Sequence, residues 1–265
     1  MKQLNEILPL LMKVDCNYEC LLSDIVAEKK KAQNSNDEQV ANYLWAEETI
    51  VGIVRDFVSV FNLLKQEEFY KAWCVAEQVE LAINNLIRNF PDFYQIVNYH
   101  ITIIHQLQRL YPYRLFASYV INIKREECSI CHKPRLIRSM CGHRKGYVYN
   151  GEICYNTVTD LDFISVDLVQ NPVHKYAVVF LSDDKGNQYD HYDYGLLKGL
   201  MTYWKHPFQS WNYSIEDIRL KETDFPELTS DSLCPCGSGK KYESCCQNDP
   251  LGIKHKKYIF YMDSI

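Results

Sequence analysis

Four thiols crowded into thirteen residues leave the end of this chain few ways to fold. Cys234, Cys236, Cys245 and Cys246 are spaced C-x-C-x8-C-C. Two close pairs joined by a small loop can set four sulfurs at the corners of a tetrahedron, the arrangement preferred by Zn²⁺. Gly237 and Gly239 permit the tight turns that bring the second pair back over the first. Thiolates are soft ligands and favour zinc over magnesium or calcium. The competing use of the four thiols, a pair of disulfides, needs an oxidising compartment. The opening residues Met1-Lys2-Gln3-Leu4-Asn5-Glu6 lack an apolar signal core, which points to a cytoplasmic protein. In that compartment the eleven cysteines serve as metal ligands and buried thiols.

A second constellation lies in the middle of the chain. Cys128-Ser129-Ile130-Cys131 is a C-x-x-C knuckle, and Cys141, His143 and Cys154 follow it. These are five candidates for about four positions around one ion. We expect Cys128, Cys131, His143 and Cys154 to bind, with Cys141 as the substitute for one of the last three. The alternative for the C-x-x-C is a redox pair, but it does not open a helix within a βαβ pattern. The chain is therefore expected to carry two zinc ions, one per constellation. Cys16, Cys20 and Cys74 have no partner set nearby in the sequence and are expected to be buried or free thiols.

The tail resembles the SEC-C motif, the short zinc-binding segment at the C-terminus of the SecA translocase that also occurs on many unrelated bacterial proteins. The resemblance is carried by Cys234, Cys236, Ser238, Gly239, Cys245 and Cys246. Many family members have His where this chain has Cys246, and either side chain can ligate zinc. The resemblance implies zinc and a recognition role, with a chaperone, nascent chain or ribosome as partner. It does not imply translocase activity, because no G-x-x-x-x-G-K-[ST] phosphate loop occurs. The central segment is similar to a zinc-ribbon-type pattern of bacterial and phage proteins, through Cys128, Cys131, Cys141, His143, Gly146, Tyr149, Gly151, Glu152 and Cys154. That likeness implies zinc alone.

Charge is unevenly distributed along the chain. Residues 121–146 carry seven Lys/Arg against two Asp/Glu, although the whole chain has a net charge of −5. A zinc ion held by four thiolates is formally −2, and adjacent cations would offset it. The same residues, chiefly Arg135, Arg138, Arg144 and Lys145, would also suit nucleic acid. A zinc-dependent hydrolase or nuclease is a further alternative. It needs a centre with three protein ligands and a water, and Glu152 would be its general base. Fully ligated zinc organises structure rather than catalysing, so we expect an interaction or adaptor protein and no enzyme.

The remaining pattern indicates an α+β protein in three parts. Residues 1–120 read as an α-helical bundle. Asn17 or Asp15 is expected to cap a helix through Lys31, and Asp37 one from Glu38 to about Lys65. Further helices are expected at about Glu68 to Asn89 and Asp92 to Arg109. Residues 121–220 read as a zinc-stabilised β or mixed region, with a strand at Tyr176–Leu181, its hairpin partner at Gln188–Tyr192 and a short helix from Tyr194 to Trp204. Asp190, His191 and Asp193 suggest an active site at first sight, but a polar strand face accounts for them. Residues 221–265 read as a linker and the small zinc-binding tail, with Lys254–Tyr261 as a terminal strand or surface segment. No run of about eighteen apolar residues occurs, so no membrane span is expected.

Overall fold

A computed structural model describes residues 4–13, 16–136, 138–139 and 141–263. Five helices come first: α1 (Leu4–Leu11), α2 (Tyr18–Asn34), α3 (Glu38–Lys65), α4 (Phe69–Asn89) and α5 (Tyr94–Leu110). The starts of α2 and α3 follow the capping signals. Asn17 Oδ1 accepts from Cys20 N at 3.1 Å and Asp37 Oδ1 from Val40 N at 3.1 Å, each satisfying an amide that the first turn leaves open. Asp15, the other candidate cap, lies outside the described residues. The exits of α2 and α3 are also alike. Asn36 and Glu67 take positive φ, and the next residues, Asp37 and Glu68, donate back to Ala32 O and Leu63 O. This closes each helix and aims the chain into the next one.

Helix α3 is the hub, packing against α1, α2, α4 and α5. Its buried residues include Ala41, Leu44, Ile50, Val54, Phe57, Phe61 and Leu64, at three- and four-residue steps. Ala72, Trp73, Ala76, Val79 and Leu86 of α4 are buried as their spacing predicts, whereas Val75 and Ala82 are half-buried. His100 of α5 is buried against Phe57 and Tyr99, and His105 is exposed.

The chain then enters a long antiparallel ribbon, β1 (Phe116–Cys128) with β4 (Asn156–Val169). Between its strands lies the central cysteine segment, with the two-residue strands β2 (Val148–Tyr149) and β3 (Glu152–Ile153). Beyond the ribbon come β5 (Leu181–Ser182), paired with β6 (Gln188–Tyr189), and α6 (Gly195–Tyr203). The strand expected at Tyr176–Leu181 is thus much shorter. Val178 makes a single bridge to Phe116 instead, because α4 claims the neighbouring amides: Glu77 accepts from Lys175 N and Tyr176 N, each at 2.7 Å. Asp190 accepts from Tyr192 N and Tyr194 Oη, and Asp193 from Gly195 N at the start of α6. Those acids hold a turn and a helix start.

The chain divides into two compact units, residues 1–201 with 205–208, and residues 202–204 with 209–265. In the second, β7 (Trp211–Leu220) pairs antiparallel with β8 (Ile253–Met262), so the basic-aromatic segment Lys254–Tyr261 is a strand. The fold is α+β, with helices first and small antiparallel sheets after. Among the described residues no helix is long and apolar enough to cross a membrane.

Candidate metal centres

The tail is folded by its own backbone before any ligand is considered. Cys234 N donates to Lys240 O at 2.8 Å, Gly237 N to Cys234 O, and Cys245 N to Tyr242 O. Gly237 and Gly239 have φ of +75° and +71°, and a Cβ at either would meet open space. Glycine serves there because of the left-handed backbone rather than crowding. These turns place the sulfurs of Cys234, Cys236, Cys245 and Cys246 within 4.8 Å of one another. Cys236 Sγ is 3.5 Å from Cys245 Sγ, which is 3.8 Å from Cys246 Sγ. Four sulfurs about 2.3 Å from a central zinc would be about 3.8 Å apart, so the group fits a tetrahedral ion. Burial pushes the Cys234 thiol up to about 12, while the hydroxyl of Ser238, with the nearby thiols Cys234 and Cys245, draws Cys236 down to about 6 against its own burial. Cys236 therefore ionises more readily than Cys234, and the thiolate is the species that captures metal.

In the central segment β1 delivers Cys128 and β4 departs two residues after Cys154. The knuckle closes as His132 N donates to Cys128 O and Cys128 N to Lys133 O. Ser129 N donates to Tyr155 O, and Ser129 Oγ accepts from Tyr155 N, joining the knuckle to the strand that leaves it. Opposite, β2 and β3 form a hairpin around Asn150-Gly151, both with positive φ. The hairpin is tied to the helices: Gly151 N donates to Asn42 Oδ1, Val148 N to Asn89 Oδ1, and Asn89 Nδ2 to Gly146 O.

The group assembled here is Cys128, Cys131, Cys141 and His143, again within 4.8 Å of one another. Cys128 Sγ faces His143 Nδ1 at 3.7 Å, and a Cys₃His set is a familiar tetrahedral zinc shell. Cys128 is buried, which raises its thiol pKa. Backbone amides of Cys131 and Ile130 and the thiols of Cys141 and Cys131 outweigh that and bring it to about 6. Cys154, expected as a ligand from sequence, is outside this group of four and Cys141 is within it. Cys154 Sγ lies 3.8 Å from Cys128 Sγ and accepts from Arg135 Nη2 at 3.2 Å.

Arg135 is the residue whose role sequence reasoning underrated. Its Nη1 also donates to His143 O at 2.7 Å, so the guanidinium clamps two members of the segment. Burial lowers its pKa, but the thiols of Cys141, Cys128 and Cys154 more than reverse that. The basic surplus of the segment thus acts partly as a counter-charge to sulfur. Arg138, Arg144 and Lys145 remain exposed, and Arg144 and Lys145 border a cleft of about 590 Å³ shared with Arg135, His143 and Asn156. Glu152 accepts from Gln33 Nε2 at 3.2 Å and lies 3.8 Å from Lys29 Nζ, which ties β3 to α2. Of the remaining thiols, Cys20 is exposed and Cys16 and Cys74 are half-buried.

Two separate groups of four Cys and His donors, each within 4.8 Å of one another, define a chain able to hold two metal ions. The family model described as "SEC-C motif" matches residues 232–248, so the tail is a SEC-C motif. No curated protein and no solved structure matches the chain.

Proposed function

We propose that this chain is a zinc-binding interaction protein whose two closed centres organise a surface for a protein or ribosomal partner. The observation that carries the reading is the tail. The four thiols of a SEC-C motif converge within 4.8 Å, and they make up half of the small apolar cluster around them. Four donors saturate a tetrahedral ion, which favours an organising role over hydrolysis. The engagement of Glu152 by Lys29 and Gln33 favours it further, since a general base must be free to reach a metal-bound water.

The ligand sets are Cys234, Cys236, Cys245 and Cys246 in the tail, and Cys128, Cys131, Cys141 and His143 in the centre. Elemental analysis of the purified protein should find about two zinc ions per chain. The double variant Cys245→Ser, Cys246→Ser should retain about one, and so should Cys141→Ser. Cys154→Ser should keep both. A metal-free protein whose melting ignores chelators would end this reading. A partner such as a chaperone, nascent chain or ribosome is tested by co-sedimentation and pull-down with the wild type beside the tail variant. Equal recovery by both would separate the tail's metal from partner recognition.

A further inference from the structure

The ribbon of β1 and β4 carries most of its apolar residues on one face, and the described residues leave that face about half exposed, with His174 stacked beside Tyr119. Residues directly opposite in an antiparallel pair share a face. The register pairs Ala117 with Leu168, Tyr119 with Val166, Ile121 with Phe163 and Ile123 with Leu161. Alternation along β1 puts all four pairs on the same side, and the bulge that skips Ile164 keeps β4 in step. The other side holds Ser118 with Asp167, Val120 with Ser165, and Asn122 with Asp162. An amphipathic ribbon of this kind ordinarily lays its apolar side on a core. Here Tyr119, Val166, Phe163 and Leu168 are 55%, 58%, 62% and 62% exposed, and Ile123 and Leu161 are 44% and 43%.

A two-stranded ribbon is marginal in water without a covered face. This one is anchored at both ends. The cysteine knuckle closes one, and Ala117 N donates to Ala177 O at the other. Its middle is therefore held open and in register.

We propose that this face is a homodimer interface, in which the ribbon of a second copy packs face to face on the first. The area supports a second copy as occupant. Six large side chains about half exposed offer roughly 500–600 Å² per copy, so a symmetric pair buries a little over 1,000 Å², enough for a specific interface. The ladder is self-complementary, because a two-fold axis sets an identical row of apolar pairs of the same length against it. The charges beside the ladder do not oppose the approach of a chain with net charge −5. Lys124 bonds Asp162 at 2.5 Å and is neutralised within each copy, and Arg125 sits opposite Asp160 in the register.

Light scattering and sedimentation of the full chain should give twice the 31.2 kDa of one chain. Phe163→Lys and Leu168→Lys should each weaken dimerisation by about a hundredfold or more, because a lysine ammonium would be buried in the apolar pair. Both face outward, and unchanged circular dichroism would show that the variants fold. Ser165→Lys, on the polar side, should leave the mass unchanged. A wild type that is monomeric up to about 100 μM overturns the proposal. So does a dimer that survives both apolar-face substitutions. Neither result depends on metal content or on recovery of a partner.

Discussion

Glu47 is 2% exposed within the helical core, and its Oε1 has no hydrogen-bond partner among the described residues. Burial first, and then the nearby Glu28 carboxylate, raise its pKa from 4.5 to about 7. Such a group binds its proton more tightly when folded. The stabilisation is complete below pH about 4.5 and is lost as the pH rises through about 7, a change of about 3 kcal/mol. Glu47→Gln should therefore be more stabilising at pH 8 than at pH 5 by about that amount, read from urea unfolding of both proteins at both pH values. An offset that does not vary with pH would refute this account. The sign is opposite to that of metal loss, since protonation of thiolates weakens the centres as pH falls. The two effects can thus be separated in one titration.

At the scale of elements, the chain uses helix side chains to hold segments with little regular structure of their own. Glu77 of α4 is 2% exposed, and both its oxygens accept backbone amides, from Lys175 and Tyr176. Trp73, one turn earlier, donates to Lys175 O at 2.6 Å and stacks on Phe116 at the start of β1. Truncating Glu77 to Ala leaves two amides without their acceptor and should cost about 2–4 kcal/mol, because bonds to a charged group are worth more than neutral ones. Hydrogen exchange should quicken first at Lys175 and Tyr176. Unchanged exchange there would mean that α4 is not what orders this segment. The helices themselves were legible because their signals are local: Asn17 and Asp37 cap where the sequence places them. The strands β1 and β7 were not. Tyr119, Ile121 and Ile123 alternate as a strand should, but a strand is defined by a partner, and β7 finds its own 33 to 51 residues away in β8. Asn150-Gly151 was a hairpin signal present in the sequence and unused, since that dipeptide suits the two positive φ values of a tight turn.

On the scale of the molecule, the two units differ in what can hold them together. The first has a broad apolar core built on α3, whereas in the second Trp204 and Trp211 are buried and the tail has only a small cluster of its own, Cys234, Tyr242, Cys246 and Ile253, with Phe225, Leu228, Cys236 and Cys245 packed on them. A core that small cannot offset the entropy of ordering its loops, and a bound ion would supply the difference. A strong chelator should expose residues 221–252 to proteases while most of the helical circular dichroism survives. Simultaneous loss of both would show that the helical core also depends on metal. Segment 221–232, which reads as a linker, contributes Phe225 and Leu228 to that small core.

The sequence alone determined helices α2 to α6, the caps of α2 and α3 and the two sets of candidate donors, because capping, periodicity and motif spacing act over a few neighbouring residues. Only the tertiary structure decided that Cys141 joins Cys128, Cys131 and His143 while Cys154 lies beside Arg135, and that the long ribbon exposes an apolar face. Those outcomes depend on distances through space between parts of the chain that carry no record of one another.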